Sequence, residues 1–164
     1  MTGQRLNQPA IAANDAVQLS GAIDFPKMER VAWMTVFETG NHELDAWHRK
    51  LIDECNLLLQ LVNSDASWPR IVAAAAEFVA ACAAHFRVEE KILEQLDFPR
   101  RHIHAAEHRR IENELLALMW RLQDVDASHG QCRDLPRWLA PALIDLMVRY
   151  DTDYRSHVLE RQGC

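Results

Sequence analysis

Apolar residues recur at three- and four-residue steps in four long stretches of the chain, the spacing of one face of an α-helix. The first stretch runs from about His42 to Asn63 and repeats through Leu44, Leu51, Ile52, Cys55, Leu58, Leu59 and Val62. Asn41, just after Gly40, is placed to cap its start. A polar run, Asn63 to Ser67, then breaks the period. The second stretch runs from about Trp68 to Leu96. Pro69 suits its first turn, and its alanine-rich segments permit close helix packing. The third runs from about Arg101 to Asp124, with Ile111, Leu115, Leu118 and Leu122 as one stripe. The fourth runs from about Leu135 to Glu160. Pro136 suits its first turn, and Pro141 should kink it or mark a second start. No segment alternates as a strand would. Long helices joined by short turns favour antiparallel neighbours, so the pattern predicts an all-α fold, an up-down antiparallel four-helix bundle.

Residues 1–24 are polar and without period, and read as a disordered tail. Residues 25–41 read as an extended N-terminal arm laid on the bundle, anchored by Trp33 and Phe37. The expected organisation is therefore one domain, 25–164, behind a tail, which suits a length of 164 residues. The formal charge of −6 disfavours a phosphate backbone as partner, so no nucleic acid is expected. The longest apolar run, Ile71 to Phe86, is interrupted by Glu77 and His85 and reads as too short to span a bilayer, so no membrane partner is expected either. The N-terminus lacks the pattern of an export signal. Four scattered cysteines without a CxxC fit reduced thiols, and the expected location is cytoplasmic. Cys55 and Cys82, in apolar stretches, read as small core residues.

Composition changes the picture at one point: the chain carries 8 His. His85 and Glu89 are four apart, as are His104 and His108, so each pair shares one helix face. His48 stands on the first helix and Asp151 on the fourth. Counted from the first turn, His48 lies 64 − 48 = 16 residues before it and His85 lies 85 − 67 = 18 after it. Glu89 and His108 each lie 8 residues from the next turn. At about 1.5 Å of rise per residue, these side chains share one depth. Imidazoles and carboxylates without thiolates suit iron, manganese or zinc, and bundles build two-metal sites from inward-pointing ligands on facing helices. His42, His102, His129 and His157 read as bystanders, at a helix start, off the inward face, in a loop and near the chain end.

These residues resemble the hemerythrin family in its single-domain bacterial form. WMTVFETGNHELDAWH is similar to the family's arm and first helix, HFRVEE to its HF-x-x-EE segment, HAAEH to its H-x-x-x-H, and DTDYR to its late D-x-x-Y stretch. The resemblance implies a non-heme di-iron centre with an oxo or hydroxo bridge that binds O₂. By position, His48 and His85 would hold the iron that takes O₂, and His104 and His108 the other. Glu89 and Asp151 would bridge the two, and Leu51, Ile52 and Phe86 would wall the O₂ pocket.

Two positions depart from the family pattern. Trp47 stands where the family usually has Gln, and Leu146 stands where it has a fifth His, five residues before the bridging Asp. Tyr150 or a water could substitute as ligand, and a slipped register would exchange Asp151 for Asp153. The expected function is O₂ binding for storage, delivery or sensing at a site lacking one His. The alternative is a di-iron redox enzyme, an oxidase, peroxidase or NO-handling centre, and the third reading is a bundle that has lost its metal.

Overall fold

A computed structural model describes residues 30–64, 66–123 and 135–161. The predicted tail, the first residues of the arm, the loop around His129, and Cys132 and Cys164 lie outside the described residues. Those described are helical or irregular, with no strand among them.

Helix α1 spans His42–Asn63, as its periodicity predicts. The Asn41 side-chain oxygen accepts from the N–H groups of Glu43 (3.0 Å) and Leu44 (3.2 Å), satisfying donors that a helix start leaves open. Glu43 and Asp45 place negative charge where the helix dipole favours it. Helix α2 spans Trp68–Gln95 with Pro69 in its first turn, and α3 spans Arg101–Gln123. By length and composition α2 is apolar enough to cross a bilayer, unlike the interrupted run read from the sequence. Core helices of globular proteins pass the same test, and here Phe78, Cys82, His85, Phe86 and Glu89 are buried within the protein.

The fourth helix is divided. Helix α4 (Leu135–Asp145) contains Pro141 without ending there, a π-helical turn follows at Leu146–Tyr150, and α5 spans Thr152–Arg161. The interruption thus falls after Pro141 and not at it. A π turn closes on i→i+5, so it accommodates one more residue than an α turn and aligns Leu146 with Asp151. The Thr152 hydroxyl donates to the Val148 carbonyl beside this irregular turn.

The arm is not wholly extended, because Thr35–Phe37 forms a 3₁₀ turn. Phe37 is buried and meets Trp33 edge-on at 5.9 Å. The Arg49 guanidinium lies 3.7 Å from the centre of the Trp33 ring. Asn56 holds the start of the arm by both backbone polar groups of one residue, accepting from Val31 N–H (2.7 Å) and donating to Val31 C=O (2.9 Å). Asp45 takes the Thr39 N–H (2.7 Å) and hydroxyl (2.8 Å). Gly40 joins arm to helix at φ 86°, and a Cβ there would collide with Leu159 of α5.

Helix α1 packs on α2 and α4, and α2 on α3. Phe86 lies against His108 and Glu89 against His104, a pairing in which α2 and α3 run in opposite senses. The apolar interior is in two parts. The larger contains Leu51, Cys55, Cys82, Phe86, Leu115, Leu118 and Met147. The smaller contains Leu44, Ile92, Leu93, Phe98, Tyr154 and Val158. On α1, α2 and the last helical segment, a polar residue separates the two parts: His48 between Leu44 and Leu51, Glu89 between Phe86 and Ile92, Asp151 between Met147 and Tyr154. Burial of apolar surface on both sides therefore holds a polar layer in the middle of the protein.

Candidate metal centre

That layer consists of His48, His85, Glu89, His104, His108 and Asp151, all buried. Two groups of donors form within it: His48, His85 and Asp151, and Glu89, His104 and His108. In each group the donor atoms lie within 4.8 Å of one another. Glu89 touches both groups. Its Oε2 is 3.2 Å from Nε2 of His85 and 3.2 Å from Nε2 of His108, and its Oε1 is 3.2 Å from Nε2 of His104. Asp151 Oδ2 is 3.2 Å from Nε2 of His48.

None of these contacts is aligned as a hydrogen bond. The Nε2 atoms of all four imidazoles and all four oxygens of Glu89 and Asp151 are buried without a hydrogen-bond partner. Buried polar atoms left this way each cost about 1–3 kcal/mol, so a protein does not collect eight of them without a compensating charge. Two donors each about 2.1 Å from one cation lie roughly 3.0–3.4 Å apart, which matches the spacing found. The donor set, imidazole and carboxylate without thiolate, suits iron, manganese or zinc. The residues fit metal ions.

The remaining ring nitrogens orient the ligands. His48 Nδ1 donates to the Phe37 carbonyl at 2.8 Å, leaving Nε2 as the lone-pair atom facing Asp151. His108 Nδ1 donates to Glu90 Oε1 at 3.0 Å, with the same effect on the other side. His85 Nδ1 is buried without a partner. Burial opposes charge on His48, but the Asp151 carboxylate and the Phe37 carbonyl outweigh it and raise the imidazole to about 8. Burial likewise opposes the Glu89 carboxylate, and the imidazoles around it reverse the balance and hold it well below the usual range. Asp151 is pushed up by burial and by the charge of Glu89. This balance of charge belongs to the protein without metal, in which a proton on His48 stands where a cation would bind.

Residues 39–160 match the family model described as "Hemerythrin HHE cation binding domain". The chain belongs to the hemerythrin family. It is also 30% identical over 129 residues to a bacteriohemerythrin of Ralstonia nicotianae, a match covering 77% of this chain and 90% of that relative. The protein is thus a metal-binding, hemerythrin-like chain, and its His and carboxylate groups stand where they can receive cations.

Against the hemerythrin pattern, the structure shows where each expected residue goes. His48, His85, Glu89, His104, His108 and Asp151 are brought together. Leu51 and Ile52 are buried one turn along from His48. Phe86 stacks on His108 (4.1 Å, 13°) and only tilts against His85 (5.8 Å). It therefore backs the second group more closely than the first, because one step along α2 turns the side chain toward α3. Tyr150, one of two possible substitutes for a missing imidazole, turns toward Arg110 and Glu107. It precedes Asp151 by one residue and so lies on a different face of the helix, whereas Leu146 is aligned with Asp151 and is buried. Asp153 pairs with Arg100 at the surface and stays outside the layer.

Two neighbours of the layer, Tyr154 and Glu90, escaped the sequence reading, and one bystander, His157, is less exposed than expected. Tyr154 is fully buried, its hydroxyl has no hydrogen-bond partner, and its ring lies 5.4 Å from that of His104. Burial and the charges of Asp151 and Glu89 raise its phenol well above the usual range, so it stays an O–H group facing carboxylates. Its signal was the D-x-x-Y spacing, which puts it one turn after Asp151. Glu90 could have been found from its place beside Glu89. His157, expected to be solvated, is half-buried and bonds the Leu96 carbonyl at 2.7 Å across the end of α2.

Proposed function

We propose that the protein binds O₂ at a two-iron centre held by His48, His85, Glu89, His104, His108 and Asp151, within an up-down four-helix bundle spanning residues 25–164. The observation that carries this reading is Glu89, a buried carboxylate in contact with imidazoles of both donor groups, the arrangement a shared ligand requires. A pair of irons supplies reversible electron donation to a small oxidising ligand. The chain supplies everything else. Phe37 and Glu90 fix the lone pairs of His48 and His108. The apolar residues on either side exclude water and so slow proton delivery to the centre. Tyr154 holds a proton close to the carboxylates. We place the protein in the cytoplasm, with a small ligand as its partner and neither nucleic acid nor membrane.

Leu146 supports a second reading, a di-iron redox enzyme. An apolar side chain fills the position aligned with Asp151 where the family pattern has a fifth imidazole, so the group of Glu89, His104 and His108 is short of a donor. Metal analysis and optical spectra of the purified protein, with and without O₂, test the first reading. Two irons per chain and oxo-bridge absorption that changes reversibly on oxygenation are expected. A colourless, iron-free protein overturns both readings, and sustained consumption of peroxide or NO under reducing conditions selects the second.

A further inference from the structure

One turn away from the metal layer lies a cavity of about 250 Å³ that contains none of the six donors. Its position follows from the helix pairing. Phe86 and His108 are stacked at the edge of the layer. One step farther along both helices, Cys82 of α2 and Ile111 of α3 line the cavity, and Phe78 and Leu115 line it one turn beyond. Leu146 and Leu143 close it from the last helical segment. Leu146 is therefore a partition: Asp151 follows it by one π turn, and the cavity lies against it.

The chemistry of the walls restricts what can enter. The interior is apolar apart from the Cys82 thiol, which burial pushes far up its scale and keeps neutral. Charged groups occur only at the mouth, and they are already paired. Arg110 holds Glu107 (2.8 Å) and Glu114 (2.6 Å), and Arg149 holds Asp145 (3.1 Å). A charged ligand would lose hydration against the apolar walls, and the charged side chains at the rim are already engaged by groups of opposite sign. The polar edge offered by Tyr150, Arg110 and Glu114 can accept one hydroxyl or carbonyl group. As to size, an apolar cavity of about 150 Å³ takes a benzene ring. About 250 Å³ takes one ring with a short substituent.

We propose that this cavity is a second binding site, distinct from the metal centre, for a small uncharged molecule with an apolar body of about one ring and a single hydroxyl- or carbonyl-class polar group. The site does not depend on which metal the layer holds.

Calorimetric titration of the full-length protein, as purified, with benzyl alcohol tests this, with benzoate as the charged counterpart. A molecule of this size should bind with a Kd on the order of 1 mM. Ala142 lines the mouth and is exposed, so Ala142→Phe fills the entrance without disturbing the core. That variant should weaken benzyl alcohol binding at least ten-fold while leaving helicity and metal content unchanged, and Ala142→Leu should give a smaller loss. Benzoate should bind at least ten-fold more weakly than benzyl alcohol. No saturable binding of benzyl alcohol, equal binding by Ala142→Phe with native helicity, or equal binding of benzoate would each overturn the proposal. Saturable, Ala142-sensitive binding in a sample without iron supports the cavity while counting against the two-iron reading.

Discussion

The backbone carbonyl of Phe37 lies 2.8 Å from Nδ1 of His48. A residue of the arm, outside the helices, thus determines which nitrogen of a buried imidazole faces the Asp151 carboxylate. The carbonyl is in place because the Phe37 ring is buried at the end of a 3₁₀ turn. Phe37→Ala should destabilise the metal-free protein by about 3–5 kcal/mol, the usual cost of emptying an aromatic core site. It should also weaken metal retention, which Phe37→Leu should largely restore. Denaturant titration and chelator competition on the same samples measure the two effects. Unchanged retention in a folded Phe37→Ala variant would show that the arm does not orient the ligand.

Glu90 performs the corresponding task for His108 from the rim, at 3.0 Å. Outer partners of this kind are worth about 10–100-fold in metal affinity. Glu90→Ala should fall in that range, and Glu90→Gln, which keeps an acceptor oxygen, should lose less. Chelator competition followed by metal analysis ranks the three proteins.

Metal uptake should depend on pH with a definite sign. In the metal-free protein His48 is raised to about 8, so it is charged at neutral pH, and a cation must displace its proton. Affinity should therefore climb as pH rises from about 6.5 through about 8 and then level off. The stability of the metal-free protein should move the other way. A raised imidazole contributes fully below its unfolded value of about 6.5, and that contribution is lost as pH rises through the folded value. Titrations of metal binding and of unfolding across pH 6 to 9 should give slopes of opposite sign from this group. A His48→Gln variant identifies its share.

Leu146→His would place an imidazole in line with Asp151. Without metal, the new buried polar group should cost about 1–3 kcal/mol in unfolding experiments. With metal it should slow release from the group of Glu89, His104 and His108 by on the order of ten-fold. An unfolding cost without slower release would mean that position 146 does not reach a cation.

Much of this arrangement was legible from spacing alone. The bounds of α1 to α3 and the inward direction of His85, Glu89, His104 and His108 follow from the α-helical period, which is local and strong in this chain. The division of the fourth helix was not legible, because a π turn has no composition of its own and Pro141 offered a more obvious but misleading break. Tyr150 reads as a possible substitute ligand for the same reason: an uninterrupted helix puts it one turn after Leu146, and the extra residue moves that alignment to Asp151. The roles of Phe37, Asn56 and Glu90 depend on where a carbonyl or carboxylate ends up after packing, which periodicity does not encode.

The two donor groups differ in how much chain each must gather. Glu89, His104 and His108 span 108 − 89 = 19 positions across a single turn. His48, His85 and Asp151 span 151 − 48 = 103 positions, and the last donor follows α4 and the π turn. Short loops close at lower entropic cost and sooner than long ones. During synthesis the α2–α3 hairpin can thus offer a three-donor nest while the residues that complete the other nest have yet to be added. A cation held by Glu89, His104 and His108 would need only α2 and α3, whereas one held by His48, His85 and Asp151 would need both ends of the bundle.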